Sequence, residues 1–238
     1  MMSKKDAIKV FLLVVLAVVS SIVIYNNFNN ESNNDKPDEK IEITEDEKKF
    51  KEEYESLNNK KDSNDKDYLE VSIKDDNGIV YASYDEIRKV LTEGTGVVYL
   101  GYPECNGCRN AVPMLLEAAS NQGLDTIYYL NALDIIDSTF LDENCKVITG
   151  TDEYYDLIEI FGSYYSKDTE TTFEYTRVFF FPTVVFVKDG EILGIHMGTT
   201  GSQTNPNEGL TEEQKIELFN IYMDYISKML GSVCDERC

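Results

Sequence analysis

Cys105 and Cys108, separated by Asn106-Gly107, stand where the apolar run Val97-Val98-Tyr99-Leu100 gives way to a helix-patterned stretch carrying Pro113. A strand that ends in C-x-x-C and turns straight into a helix puts the first sulfur at a helix N-terminus, where unpaired N–H groups and the macrodipole stabilise a thiolate. The chemistry such a pair serves is thiol–disulfide exchange. Cys105, at an exposed first turn, is the expected nucleophile, and Cys108 resolves the mixed disulfide. The bland alternatives are a static disulfide and half of a zinc site. Structural zinc needs four ligands, whereas the chain has five cysteines, one histidine and no second C-x-x-C. His196, followed by Met197, reads as a strand residue rather than a distal copper ligand, so neither metal nor cofactor is expected. Cys234 and Cys238 keep three readings: a structural disulfide, a second redox pair or idle thiols. Gly231 is placed to end the last helix, so the two can bridge in a loop, and so small a loop constrains little unfolded-state entropy. Cys145 reads as an unpaired thiol.

These side chains need elements to hold them. Residues 96–100 read as a central strand buried on both faces, 105–122 as the helix that follows it, ended by Gly123, and 126–130 as the next parallel strand. Upstream, Leu69, Val71 and Ile73 alternate along a strand over 68–73, which Asp75-Asp76-Asn77-Gly78 turns into a second strand over 79–81. Residues 83–92 form an amphipathic helix with Ile87, Val90 and Leu91 inward, closed by Gly94. Downstream, Phe181-Pro182-Thr183-Val184-Val185-Phe186-Val187, a Lys188-Asp189-Gly190 turn and Ile192-Leu193-Gly194-Ile195 read as a hairpin. A last amphipathic helix over 211–230 offers Ile216, Leu218, Phe219, Tyr222, Met223 and Ile226 for packing. The order predicts an α/β domain whose central mixed sheet carries helices on both faces. Between the third strand and the hairpin lie about fifty residues, far more than a connection needs. Tyr155, Leu157, Ile158, Ile160 and Phe161 give 152–166 a helical spacing, and 171–177 looks extended. We read residues 132–180 as a helical insertion enlarging the rim near the dithiol.

The pattern resembles the thioredoxins. In them a proline kinks the long helix after the second cysteine, where this chain has Pro113, and a cis proline opens a later strand against the dithiol, where it has Pro182. More closely, the chain is similar to membrane-anchored thioredoxin-like proteins of low-GC Gram-positive bacteria, a group related to bacteriocin transport accessory proteins. Residues 50–58, 102–117 and 182–190 and the terminal Cys234-Asp235-Glu236-Arg237-Cys238 carry that likeness, and the thioredoxin resemblance spans roughly 79–229. It implies a thioredoxin fold with a helical insertion before the cis-proline strand. It also implies that Phe181, Pro182 and Thr183 face substrate, with the Phe181 backbone free for strand-like pairing. Three positions depart from the pattern. Tyr99 stands where thioredoxins bury an aspartate, Glu104 where they carry a tryptophan, and Asn106-Gly107 replaces Gly-Pro. Proton transfer from Cys108 must then use water or another group such as Glu104. A carboxylate beside Cys105 raises its pKa while the helix terminus lowers it, which leaves reductase, oxidase and isomerase directions open.

The chain has 238 residues and a formal net charge of -22. That charge repels phosphate backbones and excludes nucleic acid as a partner. Lys4, Lys5 and Lys9 precede an apolar run over 10–25, broken only by Ser20 and Ser21. As a helix the run spans about 24 Å against a hydrocarbon core of about 30 Å; Lys9 can snorkel and Tyr25 suits the interface. The lysines predict a cytoplasmic stub over 1–9, an anchor over 10–25 and everything beyond outside the cell membrane. A cleaved signal peptide is the competing reading, but its cut would fall inside the apolar run. Residues 26–67 read as a polar tether. It contains a short helix near 45–57, opened by the capping box Thr44-Glu45-Asp46-Glu47, with Phe50, Tyr54 and Leu57 at helical spacing, which either docks or stays a solvated spacer. The domain then covers 68–230 and a tail 231–238. Together these features predict an extracytoplasmic, membrane-tethered thiol–disulfide oxidoreductase that acts on cysteines of exported proteins or peptides, with a membrane redox partner. The rival is a non-enzymatic accessory or chaperone for an exported peptide or secretion partner, its dithiol vestigial.

Overall fold

The strand that runs into the cysteine pair is buried along its whole length, as its unbroken apolar run requires of a strand covered on both faces. A computed structural model of the chain describes residues 42–136, 150–165 and 180–231. The chain divides into two units, Met1–Glu42 and Ile43–Cys238, and the sheet and helices belong to the second. The anchor expected over 10–25, Cys145, residues 171–177, Cys234 and Cys238 lie outside the described residues. Among the described residues no helix is long and apolar enough to cross a membrane.

Five strands, β1 (Ile79–Tyr81), β2 (Gly96–Gly101), β3 (Ile127–Asn131), β4 (Thr183–Lys188) and β5 (Glu191–Met197), form one mixed sheet in the order β1-β3-β2-β4-β5. β1, β3 and β2 run parallel, while β4 is antiparallel to β2 and β5 to β4. Among the described residues five α-helices pack against it: α1 (Glu45–Glu55), α2 (Tyr84–Glu93), α3 (Asn106–Asn121), α4 (Asp152–Tyr165) and α5 (Glu212–Leu230). Strand alternation sends Val97, Tyr99 and Tyr129 to one face. There Phe186, opposite Val97, stacks on Tyr225 of α5 at 4.8 Å, and α3 packs on α5. On the other face Tyr128 and Val90 close over Gly96, and α2 packs on α4. The predicted α/β architecture, a mixed sheet between helical layers, is therefore present.

One open alternative is settled, and two further expectations need correction. The helix near 45–57 docks: Phe50 and Tyr54 of α1 are fully buried, with Phe50 edge-on to Tyr129 at 4.9 Å. An isolated helix this short is marginal in water, whereas burying each ring gains about 1.5–3 kcal/mol. Asp46 and Glu47 accept the N–H groups of Tyr81 and Gly78, both at 2.9 Å, so α1 also closes the β1 edge. The compact unit thus begins at Ile43 rather than at Tyr68. Secondly, residues 68–73 are extended but join no sheet. With β1 bonded to β3 on one side and contacted by α1 on the other, the β1 edge does not receive them. Val71 and Ile73 still point inward, and side chains satisfy the backbone: Asn58 bonds both Val71 N and O, and Glu55 accepts from Ile73 N at 2.8 Å. Thirdly, the inward stripes of two helices are narrower than their apolar content. Tyr154, Leu157 and Phe161 are buried in α4 while Tyr155 is half exposed, and in α5 Leu218, Tyr222, Ile226 and Met229 face inward while Ile216 lies open. The α4 helix is tied to α2 by Asp156, which accepts from Tyr84 Oη and from Arg88 Nε.

Candidate active site

The route from β2 into α3 sets the geometry of the cysteine pair. Cys105 is the N-cap of α3 with extended backbone, φ -79° and ψ 112°, and its Sγ accepts the Cys108 N–H at 3.3 Å. A sulfur thus takes the place that Ser, Asp or Asn fills at most helix starts. From that position the Cys105 thiol donates to Phe181 O at 3.7 Å. The Phe181–Pro182 bond is cis. Gly107 lies against the same segment, since a Cβ there would stand 3.4 Å from both Phe181 O and Pro182 Cδ. Tyr102 meets Phe181 edge-on at 5.8 Å, and Thr183 Oγ1 donates to Phe180 O at 2.5 Å. Pro113 lies inside α3. Cys105, Cys108, Phe181, Pro182 and Thr183, seventy-odd residues apart in the chain, are therefore brought together.

Cys105 is not exposed as its place at a helix start suggests. It is 1% accessible and Cys108 is 0%. The N-cap conformation turns the sulfur over the first N–H groups of α3 and towards Phe181, away from solvent.

Tyr99 is fully buried; its hydroxyl bonds that of Tyr54 at 2.7 Å, and its ring stacks on Tyr129 at 5.3 Å. Burial first, then the neighbouring Cys108 and phenols, pushes the Tyr99 hydroxyl well above its usual value; burial does the same at Tyr54 and Tyr129. Tyr99 is thus a neutral hydroxyl and no substitute for a carboxylate base near neutrality. Glu104 is exposed, and among the described residues no hydrogen bond joins it to either cysteine.

Three residues with no role predicted from the sequence hold the site. Asn106, between the cysteines, accepts from Leu69 N at 2.9 Å and donates to Asn207 Oδ1 at 3.4 Å, linking the 68–73 segment to the loop that precedes α5. One turn on, Asn110 donates to Pro206 O and Glu208 O and accepts from Leu210 N. Arg109 is 1% accessible and donates to Leu69 O, Tyr54 O, Pro103 O and Asn58 Oδ1. The sequence carries one signal for Arg109: a lone cation directly after Cys108, at the edge of the helix face on which Cys108, Ala111, Val112 and Leu115 lie. Nothing local marks Asn58 or Asn110.

His196 lies within β5, its Nε2 2.6 Å from Thr199 O and its ring edge-on to Tyr222. Burial lowers its pKa, which keeps it neutral near neutrality. Among the described residues no three His, Cys, Asp or Glu side chains gather as a metal site would require. Comparison of the chain with protein-family models and with curated proteins returns no match to either.

Proposed function

We propose that the chain is a membrane-tethered thiol–disulfide oxidoreductase of thioredoxin fold, acting outside the cytoplasm on cysteines of exported proteins or peptides. One observation carries this reading: the N-capping Cys105 sulfur accepts the Cys108 N–H while facing Phe181 O beside a cis Phe181–Pro182 bond. The strand order β1-β3-β2-β4-β5 and the helices on both faces are compatible with the thioredoxin assignment. Lys4, Lys5 and Lys9 before the apolar run over 10–25 support the tether and its orientation. In the reducing direction the Cys105 thiolate attacks one sulfur of a substrate disulfide, forming a mixed disulfide and releasing the other sulfur as thiolate. The Cys108 thiolate then attacks Cys105 Sγ, releases the second substrate thiolate and leaves a Cys105–Cys108 disulfide. The oxidising direction is the reverse. Cys234 and Cys238 are the proposed second pair, exchanging with the first directly or through a membrane partner.

The test uses the full chain in detergent micelles, assayed for reduction of insulin disulfides and for oxidation of a reduced peptide. Exchange in one direction, abolished by Cys105→Ser, is the expected result, and Cys108→Ala should trap mixed disulfides with exported proteins in cells. Absence of exchange in both directions would overturn the reading in favour of a non-enzymatic accessory.

A further inference from the structure

Cys105 and Cys108 stand at one end of the sheet, and the chain leaves its last described helix at the other. Cys105 faces Phe181 O at 3.7 Å, at the end of β4 where Thr183 pairs with Leu100. Lys188 closes β4 five residues on, about 17 Å away. Helices α3 and α5 run side by side away from the dithiol: near their starts Leu210 N donates to Asn110 Oδ1 at 3.2 Å, and farther along Gln122 Nε2 donates to Met223 Sδ at 3.7 Å. The 19 residues of α5 measure about 28 Å along the axis. Its left-handed cap Gly231, at φ 71°, therefore comes to the Lys188 end, where a Cβ on it would meet Lys188 Nζ at 3.6 Å. The helix lengths put Gly231 more than about 30 Å from Cys105. Cys234 and Cys238 follow Gly231 by three and seven residues, and an extended chain covers at most about 11 Å in three residues and about 25 Å in seven. A disulfide holds its two Cα atoms within about 7 Å, so both residues of a Cys234–Cys238 disulfide stay within about 18 Å of Gly231. Cys105 of the same chain is out of reach. Reduced Cys238 gains distance only along a straight line, and that line is filled by the packed α3 and α5.

We propose that the Cys234–Cys238 pair exchanges with the Cys105–Cys108 pair of a second copy of this chain and not with its own. This rests on reading both pairs as redox-active, and it names the partner of the second. The Cys105 thiolate of one chain attacks one sulfur of the Cys234–Cys238 disulfide of its partner; that bond breaks and its electron pair leaves on the other sulfur. The Cys108 thiolate then attacks Cys105 Sγ, which closes the Cys105–Cys108 disulfide and releases the second thiolate. Two electrons pass from one chain to the other, the two thiol protons follow through water, and the reverse reaction balances in the same way. The place where the domain begins suits an exchange between neighbours. Helix α1 starts at the Gly231 end, since Glu47 in its first turn accepts from Gly78 N just ahead of β1, while Tyr54 O, two turns on, receives Arg109 beside Cys108. Residues 26–42 join the domain there and extend to at most about 60 Å. Two chains held in one membrane can therefore stand offset by the length of a domain, which sets the dithiol of one beside the second pair of the other. The net charge of -22 on each copy keeps that encounter brief.

The experiment mixes two full-length variants in detergent micelles, both with Cys145→Ser: one carries Cys234→Ser and Cys238→Ser, the other Cys105→Ser and Cys108→Ser. Each is reduced in turn and added to the oxidised other, and alkylation after an acid quench reads the thiols on both. Transfer in the downhill direction is expected, about tenfold slower when the variant in excess is diluted tenfold. A third full-length variant, Cys108→Ala with Cys238→Ala and Cys145→Ser, is oxidised with glutathione disulfide. Its Cys105–Cys234 bond should join two chains, as a dimer on a non-reducing gel. The same bond inside a monomer overturns the proposal, because the two ends of one chain would then be within reach. Absence of transfer between the first two variants, in chains whose dithiol exchanges with glutathione, overturns the role of the second pair and leaves the oxidoreductase reading standing. Failure of the wild-type dithiol to exchange with glutathione at all overturns that reading itself.

Discussion

The neighbours of Cys108 are phenols, and two of them complete each other: Tyr54 and Tyr99 share one hydrogen bond of 2.7 Å in an interior with no solvent to replace it. Tyr54→Phe or Tyr99→Phe leaves the remaining hydroxyl buried and unpaired, at about 1–3 kcal/mol each. The double variant should be less destabilised than the two summed, because no hydroxyl is then stranded. Urea unfolding measures the cycle, and strict additivity would show that the bond contributes nothing. Glu47 is a second residue whose ionisation is structural. Burial by itself raises its pKa, but N–H bonds from Thr44 and Gly78 outweigh that and hold it below the usual 4.5. A carboxylate lowered in the folded state adds stability that is present above the unfolded value and disappears as pH falls through the folded one. Glu47→Gln is therefore expected to cost about 1–2 kcal/mol at neutral pH, with the gap from wild type closing below pH 4.5. A gap that persists in acid would assign the loss to shape rather than charge.

Among the elements, α1 stands out because it serves the site as well as the sheet edge. It supplies the Tyr54 hydroxyl to Tyr99, the Tyr54 carbonyl to Arg109 and the Phe50 ring to Tyr129. A chain beginning at residue 43 should unfold cooperatively, whereas one beginning at residue 60 should bind a hydrophobic dye and lose its sharp thermal transition. Cooperative unfolding of the shorter chain would show α1 to be dispensable. The β4–β5 turn is tied to the end of α2 just as tightly: Gly190 N donates to Gly94 O at 2.7 Å, and at φ 75° a Cβ on Gly190 would lie 2.4 Å from Thr92 O. Gly190→Ala should destabilise by about 1–3 kcal/mol. Gly201→Ala, where nothing lies within 4 Å, should change the melting temperature little.

On the scale of the whole molecule, a net charge of -22 makes like-charge repulsion a general destabilising force. Added sodium chloride should raise the melting temperature at neutral pH until screening saturates, near about 0.15 M, where the Debye length is about 8 Å. A fall instead would mean that surface pairs such as Lys51–Asp75, at 2.7 Å, outweigh the repulsion. The parts of this molecule legible in sequence are those fixed by near neighbours. The unbroken apolar run of β2, the capping box at Thr44, the cysteine at the start of α3 and the Gly231 stop all follow from periodicity and local hydrogen bonds, which hold whatever packs on them. Alternation at Leu69, Val71 and Ile73 correctly marked one inward side, but a period of two cannot say whether a strand edge is available to receive the segment. The burial of Cys105, the Tyr54–Tyr99 bond, the linkage through Asn106 and the enclosure of Arg109 were decided only in three dimensions. Each depends on partners roughly forty to a hundred residues away, brought within hydrogen-bonding distance by the packing of α1, the 68–73 segment, the Phe181 turn and the loop before α5 around one helix start.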